Sequence, residues 1–222
     1  MGNTTEIFDK RIFLGKNAEM HQIGKMILRN RVLEVSDEGS IAISEITILP
    51  GEKLDLGTKS PSLQLIIPVV GELKLESGLF VETGEVWSKF IPKKMSLSLE
   101  NPFDKDPVHF IRIEVPTKNF YSERTFDFDL EDIANNIYTI AEFKNGDESF
   151  RLCLGNLQGR TDLEYQSYGP SFSMAVTGVF EFENCLLEQG DALSINKSGI
   201  LEMEALTTEA MILILEYKNL NL

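Results

Sequence analysis

The side chains that most often carry out chemistry in proteins are scarce in this chain. It contains two histidines, His21 and His109, and two cysteines, Cys153 and Cys185. A metal site with three histidine ligands is therefore impossible, although one histidine combined with carboxylates remains a possible ligand set. The cysteines form no CxxC pair, which predicts two free, buried thiols in a reducing compartment rather than a disulfide.

Motifs for catalysis without a metal are also missing. The sequence contains no GxSxG nucleophile elbow, no GxGxxG dinucleotide motif and no phosphate-binding P-loop. Many carboxylates could serve as a general base, but no spacing distinguishes one of them. The elements that would position a site are therefore more informative than any single motif.

Composition limits the possible partners. The chain has 222 residues, 42% of them hydrophobic and 25% charged, which is typical of a globular protein. Its net charge of −14 argues against nucleic-acid binding and favours solubility. No apolar run approaches the roughly 18 residues of a membrane span, and no apolar signal segment is visible. We therefore expect a cytoplasmic protein, a monomer or weak dimer, with no nucleic-acid or membrane partner.

Hydrophobic residues alternate with a period of two along most of the chain. Short runs of this kind recur about every ten residues between Gly, Pro, Asn and Asp turns, which is typical of β-sandwiches and barrels. The clearest predicted strands are Ile41–Leu49, Met95–Glu100, His109–Val115, Val179–Asn184, Ile200–Leu206 and Met211–Tyr217. In the third of these, Phe110 and Arg112 share one face. Only Asp129–Ile137 has a helical pattern, and it is short.

The two halves of the chain repeat the same pattern. Val69–Trp87 resembles Val176–Leu193, so that Gly71 corresponds to Gly178 and Gly84 to Gly190. Tight turns between strands favour glycine because they need a positive φ. The repeat predicts two similar β domains, residues 1–120 and residues 121–222, with the join in Pro116–Leu130.

This succession of strand, glycine turn, strand, and then Gly-Glu or Gly-Asp resembles the cupin barrel. The resemblance implies an all-β bicupin fold, with two cupin barrels in tandem joined by a short linker that contains the short helix. Cupins carry two motifs that together supply three histidines and a glutamate to one metal ion.

The first cupin motif fits this chain in its frame but not in its ligands. If Gly71 is the closing glycine of that motif, Gln64 stands at the glutamate position. The two histidine positions fall within Gly57, Thr58, Lys59 and Ser60. None of the residues at these positions is a usual metal ligand, so we expect the first motif to bind no metal.

The second motif shows the same loss. Pro92 matches its proline and Asn101 its asparagine, whereas Lys94 occupies the glycine position and Leu97 the histidine position. Apolar residues at ligand positions would fill the barrel mouth with core packing. We therefore expect no metal and no cofactor.

Over nearly its whole length the chain resembles the pirin-like bicupins, some of which act as quercetinases. The residues that carry this likeness are Tyr121, Arg124 and Phe126 in the connecting segment and the pair Asn101-Pro102. In such enzymes the metal performs the difficult electronic step with dioxygen. Quercetinase activity is accordingly not expected here.

Three hypotheses remain open. The chain is a metal-free, non-catalytic bicupin that binds a small molecule or a protein partner, an enzyme working by acid–base chemistry in the first barrel, or a metal enzyme with an unusual carboxylate site. Lys59, Gln64 and Lys94 are the candidate substrate-binding residues. An open cavity where these three converge would favour the second hypothesis, and a barrel plugged by leucine and phenylalanine would favour the first.

Overall fold

Two compact units make up the described part of the chain. The computed structural model describes residues 10–23, 26–36 and 39–218, with the side chains of 19–23, 33–36 and 39 excepted. Residues 18–129 form the first barrel. Residues 10–17 and 130–218 form the second barrel. Each barrel consists of a larger and a smaller antiparallel sheet.

Strands account for most of the described residues. In chain order they are β1 (Lys10–Phe13), β2 (Glu19–Ile23), β3 (Met26–Ser36), β4 (Gly39–Ile48), β5 (Lys53–Gly57), β6 (Ser62–Val70), β7 (Glu72–Leu75), β8 (Phe80–Glu82), β9 (Glu85–Ile91), β10 (Ser96–Glu100), β11 (Val108–Pro116), β12 (Arg124–Asp127), β13 (Ile137–Asn145), β14 (Glu148–Leu157), β15 (Asp162–Ser167), β16 (Ser171–Thr177), β17 (Phe180–Phe182), β18 (Cys185–Leu187), β19 (Ala192–Ile195), β20 (Gly199–Ala205) and β21 (Ala210–Lys218). One turn of 3-10 helix, Gly15–Asn17, follows β1. The predicted all-β bicupin architecture is thus confirmed at the level of elements.

The sheets have the same plan in both units. The first barrel has a seven-stranded sheet in the order β12-β9-β6-β11-β4-β3-β2 and a four-stranded sheet in the order β5-β10-β7-β8. The second has a six-stranded sheet in the order β1-β19-β16-β21-β14-β13 and a four-stranded sheet in the order β15-β20-β17-β18. The strands that close each barrel are therefore far apart in sequence.

The predicted alternation places apolar side chains in the barrel interiors. In the first barrel, Ile66, Trp87, Leu97 and Phe110 belong to one buried cluster to which both sheets contribute. In the second, Phe180, Leu193, Leu201 and Ile214 do the same. Because side chains alternate between the faces of a strand, the residues two positions away from these also face the interior.

The glycines of the internal repeat occupy equivalent turns. Gly71 has φ +81° and Gly178 has φ +74°, a conformation that side chains other than glycine rarely adopt. A Cβ on Gly178 would also lie 2.5 Å from Thr207 Oγ1 and 2.8 Å from Ala210 Cβ. Backbone conformation and crowding together explain why glycine recurs here.

The division of the chain differs from the predicted boundary after residue 120. β12 pairs with β9, so the first barrel extends to Asp129. At the other end, β1 pairs with β19 and therefore belongs to the second barrel. Phe13 also packs on Phe172 with ring centroids 5.5 Å apart.

The predicted helix at Asp129–Ile137 is not a helix. Those residues form successive turns that lead into β13. Asn135 adopts φ +55°, which no α-helix can continue through, and its N–H donates to the carbonyl of Asn156 at 2.8 Å. A bridge between Ala134 and Asn156 completes this attachment to the sheet.

Both cysteines are free thiols, as predicted, but only one is buried. Cys153 lies in the interior of the second barrel, whereas Cys185 is partly exposed because it lies on the edge strand β18. Among the described residues, no helix has the length and hydrophobicity needed to cross a membrane.

Candidate ligand site at the mouth of the first barrel

Leucines occupy the interior face where the resemblance places metal ligands. β5 and β10 pair so that Leu97 lies opposite Leu56 and Leu99 opposite Leu54. All four are buried in the interior cluster with Phe110. The histidine position of the second motif, Leu97, thus faces the interior, as the motif frame requires, and carries an apolar side chain.

One end of the first barrel, called the mouth, is formed by residues 57–62, residues 92–96 and the last residues of β11. Thr58 holds two of these segments together, since its hydroxyl donates to the carbonyl oxygens of Pro92 at 3.0 Å and Met95 at 3.1 Å. Among Gly57, Thr58, Lys59 and Ser60, Thr58 alone is buried.

Lys59 and Lys94 lie on the two loops that Thr58 joins. The N–H of Lys94 donates to the carbonyl of Thr58 at 3.3 Å, so the loops are directly connected. Both lysine side chains are exposed, and neither forms an ion pair with another described residue. The partners Glu52 and Glu72, considered from the sequence, are therefore not engaged by them.

Lys94 also occupies the conformation expected at a glycine position. Its φ is +68°, in the left-handed region. The motif frame places glycine at this position, and the backbone has the conformation that glycine adopts most easily. This agreement supports the frame itself.

Gln64 is fully buried and belongs to a polar network inside the mouth. Its Nε2 donates to Ser62 Oγ at 2.7 Å, and its Oε1 accepts from Arg112 Nε at 2.7 Å. Arg112 Nη2 donates to Glu114 Oε2 at 2.8 Å, and Ser62 Oγ donates to Glu114 Oε1 at 3.2 Å. The four side chains of β6 and β11 therefore form a closed ring of hydrogen bonds.

Electrostatics in this ring centre on the guanidinium of Arg112. Burial lowers the pKa of Arg112, and the neighbouring Glu114 carboxylate opposes that effect. Their side chains are only 11% and 17% exposed. Such a pair is stable only when each member keeps its partner.

A second ion pair borders the network. Lys89 lies opposite Gln64 in the pairing of β9 with β6, and its Nζ is 2.9 Å from Glu123 Oε2. Trp87 Nε1 donates to the other oxygen of Glu123 at 3.0 Å. Partial burial raises the pKa of Glu123, but the hydrogen bonds from Lys89 and Trp87 outweigh it and bring the pKa below its ordinary value.

The three residues predicted to bind substrate do not converge. Lys59 and Lys94 share the rim, whereas Gln64 is buried beneath it with Ser62 and Arg112 as its partners. Arg112 and Glu114 were not predicted as site residues. The signal was available, because the alternation in His109–Val115 already placed Arg112 on the same face as the core residue Phe110.

The retained Asn101 has a structural task. Its Nδ2 donates to the carbonyls of Ile48 at 3.0 Å and Asp106 at 2.9 Å, and its Oδ1 accepts from Phe103 N at 2.9 Å. Asn101 is fully buried, and these bonds satisfy its amide.

The described histidine, His109, does not contribute to the mouth of the first barrel. His109 lies on the opposite face of β11 from Arg112, and its Nδ1 is 3.1 Å from Thr47 Oγ1. Burial lowers the pKa of His109, with Arg29 adding to this and Glu45 opposing it. His21 is in β2, and its side chain lies outside the described residues.

The second barrel carries a strongly acidic groove on its four-stranded sheet. This cavity of about 300 Å³ is lined by the carboxylates Asp162, Glu164, Glu181, Glu183, Glu202 and Glu204. Lys10 pairs with Glu183 at 2.8 Å and Arg160 with Glu204 at 3.0 Å. Within the described part of the chain, no three histidine, cysteine or acidic side chains are arranged to hold a metal ion.

Comparison with solved structures identifies the fold. The chain is similar to the bacterial pirin YhhW from Escherichia coli, solved in complex with nickel(II), with a TM-score of 0.71, 12% identity and coverage of 93% of this chain and 98% of that one. The fold is that of a bicupin. Protein Ylba from E. coli is also similar, with a TM-score of 0.68, 8% identity and coverage of 96% and 93% of the two chains.

A plant protein has the same fold at similar distance. Vicilin from Corylus avellana (hazelnut) gives a TM-score of 0.60, 11% identity and coverage of 92% of this chain and 84% of its own. No protein-family profile and no curated protein matches the sequence. At such low sequence identities, the structural similarity is evidence for the fold of this chain.

The residues at the mouth do not fit the metal that the cupin fold often holds. Leu56 and Leu97 offer no donor atoms, and the Gln64 oxygen at the glutamate position is engaged by Arg112. The one carboxylate of the ring, that of Glu114, already accepts hydrogen bonds from Arg112 and Ser62. Imidazole and carboxylate donors, which such metals prefer, do not converge at this point.

Proposed function

We propose that this chain is a pirin-like bicupin that works without a metal and binds a small anionic molecule at the rim of its first barrel. The main support for the proposal is the hydrogen-bonded ring of Ser62, Gln64, Arg112 and Glu114 inside the mouth. In this ring the guanidinium of Arg112 is the positive charge, and it is bonded to Gln64 and Glu114. With Leu56 and Leu97 it leaves the barrel plugged rather than open. A plugged barrel favours binding over catalysis in its interior.

Charge supports an anionic ligand. Lys59, Lys93 and Lys94 are all exposed on the two hydrogen-bonded loops of the rim. The chain as a whole has a net charge of −14, so a local group of three lysines stands out against the background. A field of this kind attracts small anions and falls off with added salt.

The cellular location of the protein and its binding partners are part of the same proposal. We propose a cytoplasmic protein, monomeric or weakly dimeric, whose partner is the small molecule rather than nucleic acid or a membrane. Quercetinase-type oxygenation is not part of it, because the metal ligands that this chemistry requires are replaced.

Metal content is the first test. Elemental analysis of protein purified without chelators should give below about 0.1 iron, nickel, copper, manganese or zinc per chain. Protein incubated with each of these metals should not consume quercetin. Near one metal per chain, or turnover of quercetin after metal loading, would sink the proposal.

Ligand binding is the second test. Citrate should bind to the protein in isothermal titration calorimetry, with an affinity that falls as salt rises. The double substitution Lys59→Gln and Lys94→Gln should weaken binding about tenfold or more. Lys197→Gln, which removes an exposed lysine of the second barrel, is the matched control and should have no effect.

A further inference from the structure

The hairpin between β13 and β14 turns through two residues, Gly146 and Asp147. The strands are paired as far as Asn145 opposite Glu148, so these two residues alone make the connection. Gly146 has φ +62°, whereas Asp147 does not have a positive φ, which fits the hairpin turn that takes glycine at its first central position. The backbone therefore requires a residue without a side chain directly after Asn145.

Asn145 is the one asparagine in the sequence that precedes a glycine. The backbone nitrogen of the residue after an asparagine can attack the carbon of the side-chain amide and close a cyclic succinimide. A side chain on that following residue hinders the attack, and glycine has none. The link between Asn145 and Gly146 is therefore the place in the sequence where ring closure meets the least hindrance.

The structure leaves this link accessible. Asn145, Gly146 and Asp147 are all exposed. A Cβ placed on Gly146 would have no neighbouring atom within 4 Å, so the space around the attacking residue is open. None of the turn hydrogen bonds among the described residues uses the N–H of Gly146. Neither steric cover nor a hydrogen bond in the turn therefore holds the attacking nitrogen back.

Two other exposed asparagines provide an internal comparison. Asn184 lies in the turn between β17 and β18, and Asn196 directly follows β19. The residues after them, Cys185 and Lys197, have side chains that hinder the same attack. Exposure is therefore common to all three asparagines, and the glycine neighbour belongs to Asn145 alone.

We propose that the link between Asn145 and Gly146 is a site of spontaneous deamidation, a modification that is separate from the lysine rim and does not depend on ligand binding. The nitrogen of Gly146 loses its proton and bonds to Cγ of Asn145, and the side-chain nitrogen leaves as ammonia. Water then opens the succinimide at either of its two carbonyl carbons. One opening gives aspartate, and the other gives isoaspartate, in which the main chain continues through the former side chain. The net reaction consumes one water, releases one ammonia and replaces an amide by a carboxylate.

Both products change the end of the hairpin. The new carboxylate lies next to Asp147 and opposite the fully buried Glu148, so negative charge accumulates there. Isoaspartate also adds a carbon atom to the main chain at residue 145, which disturbs the pairing with Glu148. The rings of Phe143 and Phe150, which stack with centroids 4.5 Å apart, lie two residues from this pair. Deamidated protein should therefore unfold at a lower temperature than fresh protein.

Ageing of the full chain in mildly alkaline buffer tests the proposal, since the attacking nitrogen must lose its proton. Mass spectrometry of proteolytic peptides measures deamidation at each asparagine, and chromatography separates aspartate from isoaspartate. In the native protein, Asn145 should be converted about tenfold or more faster than Asn184 and Asn196. Gly146→Ala should slow the conversion of Asn145 by about tenfold or more. Fresh protein digested in parallel corrects for conversion during digestion.

Asn145→Gln is the control for the effect on stability. It keeps a side-chain amide at the end of β13, but its attack would have to close a larger ring, so this variant should not be converted at residue 145. Its unfolding midpoint should stay constant during ageing, whereas that of the parent protein should fall. A rate at Asn145 no higher than at Asn184 and Asn196, or conversion only after unfolding in urea, would overturn the assignment.

Discussion

Arg112 is the residue on which the first barrel mouth depends. Arg112→Leu removes the partner of both Gln64 Oε1 and Glu114 Oε2 and leaves a carboxylate in a largely buried place. We expect the free energy of unfolding to fall by about 3 kcal/mol in urea titration, because a buried charge loses its counterion.

The double variant gives the contrasting result. Arg112→Leu combined with Glu114→Leu removes both charges and should recover much of the lost stability, since apolar side chains can replace a buried pair. If the double variant is as unstable as the single one, charge burial is not the cause of the loss.

Lys94 carries a backbone conformation that suits glycine. Because a left-handed residue with a side chain is strained by about 1–2 kcal/mol and glycine adds entropy to the unfolded chain, Lys94→Gly should stabilise the protein by about 0.5–1 kcal/mol. Lys93→Gly is the matched control, as Lys93 does not have a positive φ. It should be neutral or slightly destabilising, and a gain there equal to that of Lys94→Gly would contradict the argument.

His109 makes stability depend on pH near neutrality. Burial lowers its pKa below 6.5, so the unfolded chain binds a proton more readily than the folded chain. The stability that neutral His109 contributes is therefore fully present above pH 6.5. It is lost as the pH falls through the pKa that His109 has in the folded protein. His109→Gln should lack this loss.

Urea unfolding at about pH 7.5 and about pH 5.5 measures that difference. The groups that face the His109 ring are Thr47, Glu45 and Arg29. An equal loss of stability in the parent protein and in His109→Gln would show that another group is responsible.

At the scale of elements, the turn that follows β1 depends on close packing within the second barrel. A Cβ on Gly15 would lie 2.8 Å from the carbonyl carbon and oxygen of Gly190, and the N–H of Gly15 donates to Asp191 Oδ1 at 2.6 Å. Gly15→Ala should therefore lower the free energy of unfolding by about 2 kcal/mol. Gly57→Ala, where the Cβ would have no neighbour within 4 Å, should change it by less than about 0.5 kcal/mol.

Strands with strict alternation were predictable and others were not. His109–Val115 and Met211–Tyr217 correspond to β11 and β21 within a residue or two at each end. The helical pattern of Asp129–Ile137 failed because Asn135 makes a left-handed turn and bonds to Asn156 in another strand, a contact that periodicity does not reveal. Nothing in the local pattern of Lys10–Phe13 indicates a partner as distant as Ala192–Ile195.

Prediction of the candidate site from the sequence was limited in the same way. Motif spacing placed Gln64 and Leu97 on the barrel interior, and the structure agrees. Spacing could not show that Gln64 bonds to Arg112, because that contact depends on the register between β6 and β11. Register is set by the whole sheet rather than by either strand.

At the scale of the whole molecule, the net charge is −14, and several of the carboxylates lie together in the groove of the second barrel. On the groove of the second barrel, Glu164 lies directly opposite Glu202, and Asp162 opposite Glu204. Like charges opposite each other on a sheet repel. Added salt should therefore raise the unfolding midpoint of the parent protein. The Glu202→Gln variant should have a higher midpoint than the parent protein, and this gain should be larger at low salt than at high salt.

The control for the groove is a carboxylate outside it. Glu142→Gln removes a partner of Lys144, 2.9 Å away, and should produce no comparable gain at low salt. A salt response that is identical in the parent protein and in Glu202→Gln would mean that the groove is not its source.

The pairing of β1 with β19 has a consequence for synthesis. The ribosome makes residues 10–13 well before residues 192–195, with which they pair. The first barrel, residues 18–129, can close while the rest of the chain is still being made. Until β19 has been made, β1 lacks the strand with which it pairs, so a nascent chain exposes Ile12 and Phe13 until residues 192–195 emerge. Handling of this early segment, by chaperones or by a neighbouring copy, thus becomes part of how the protein reaches its native state.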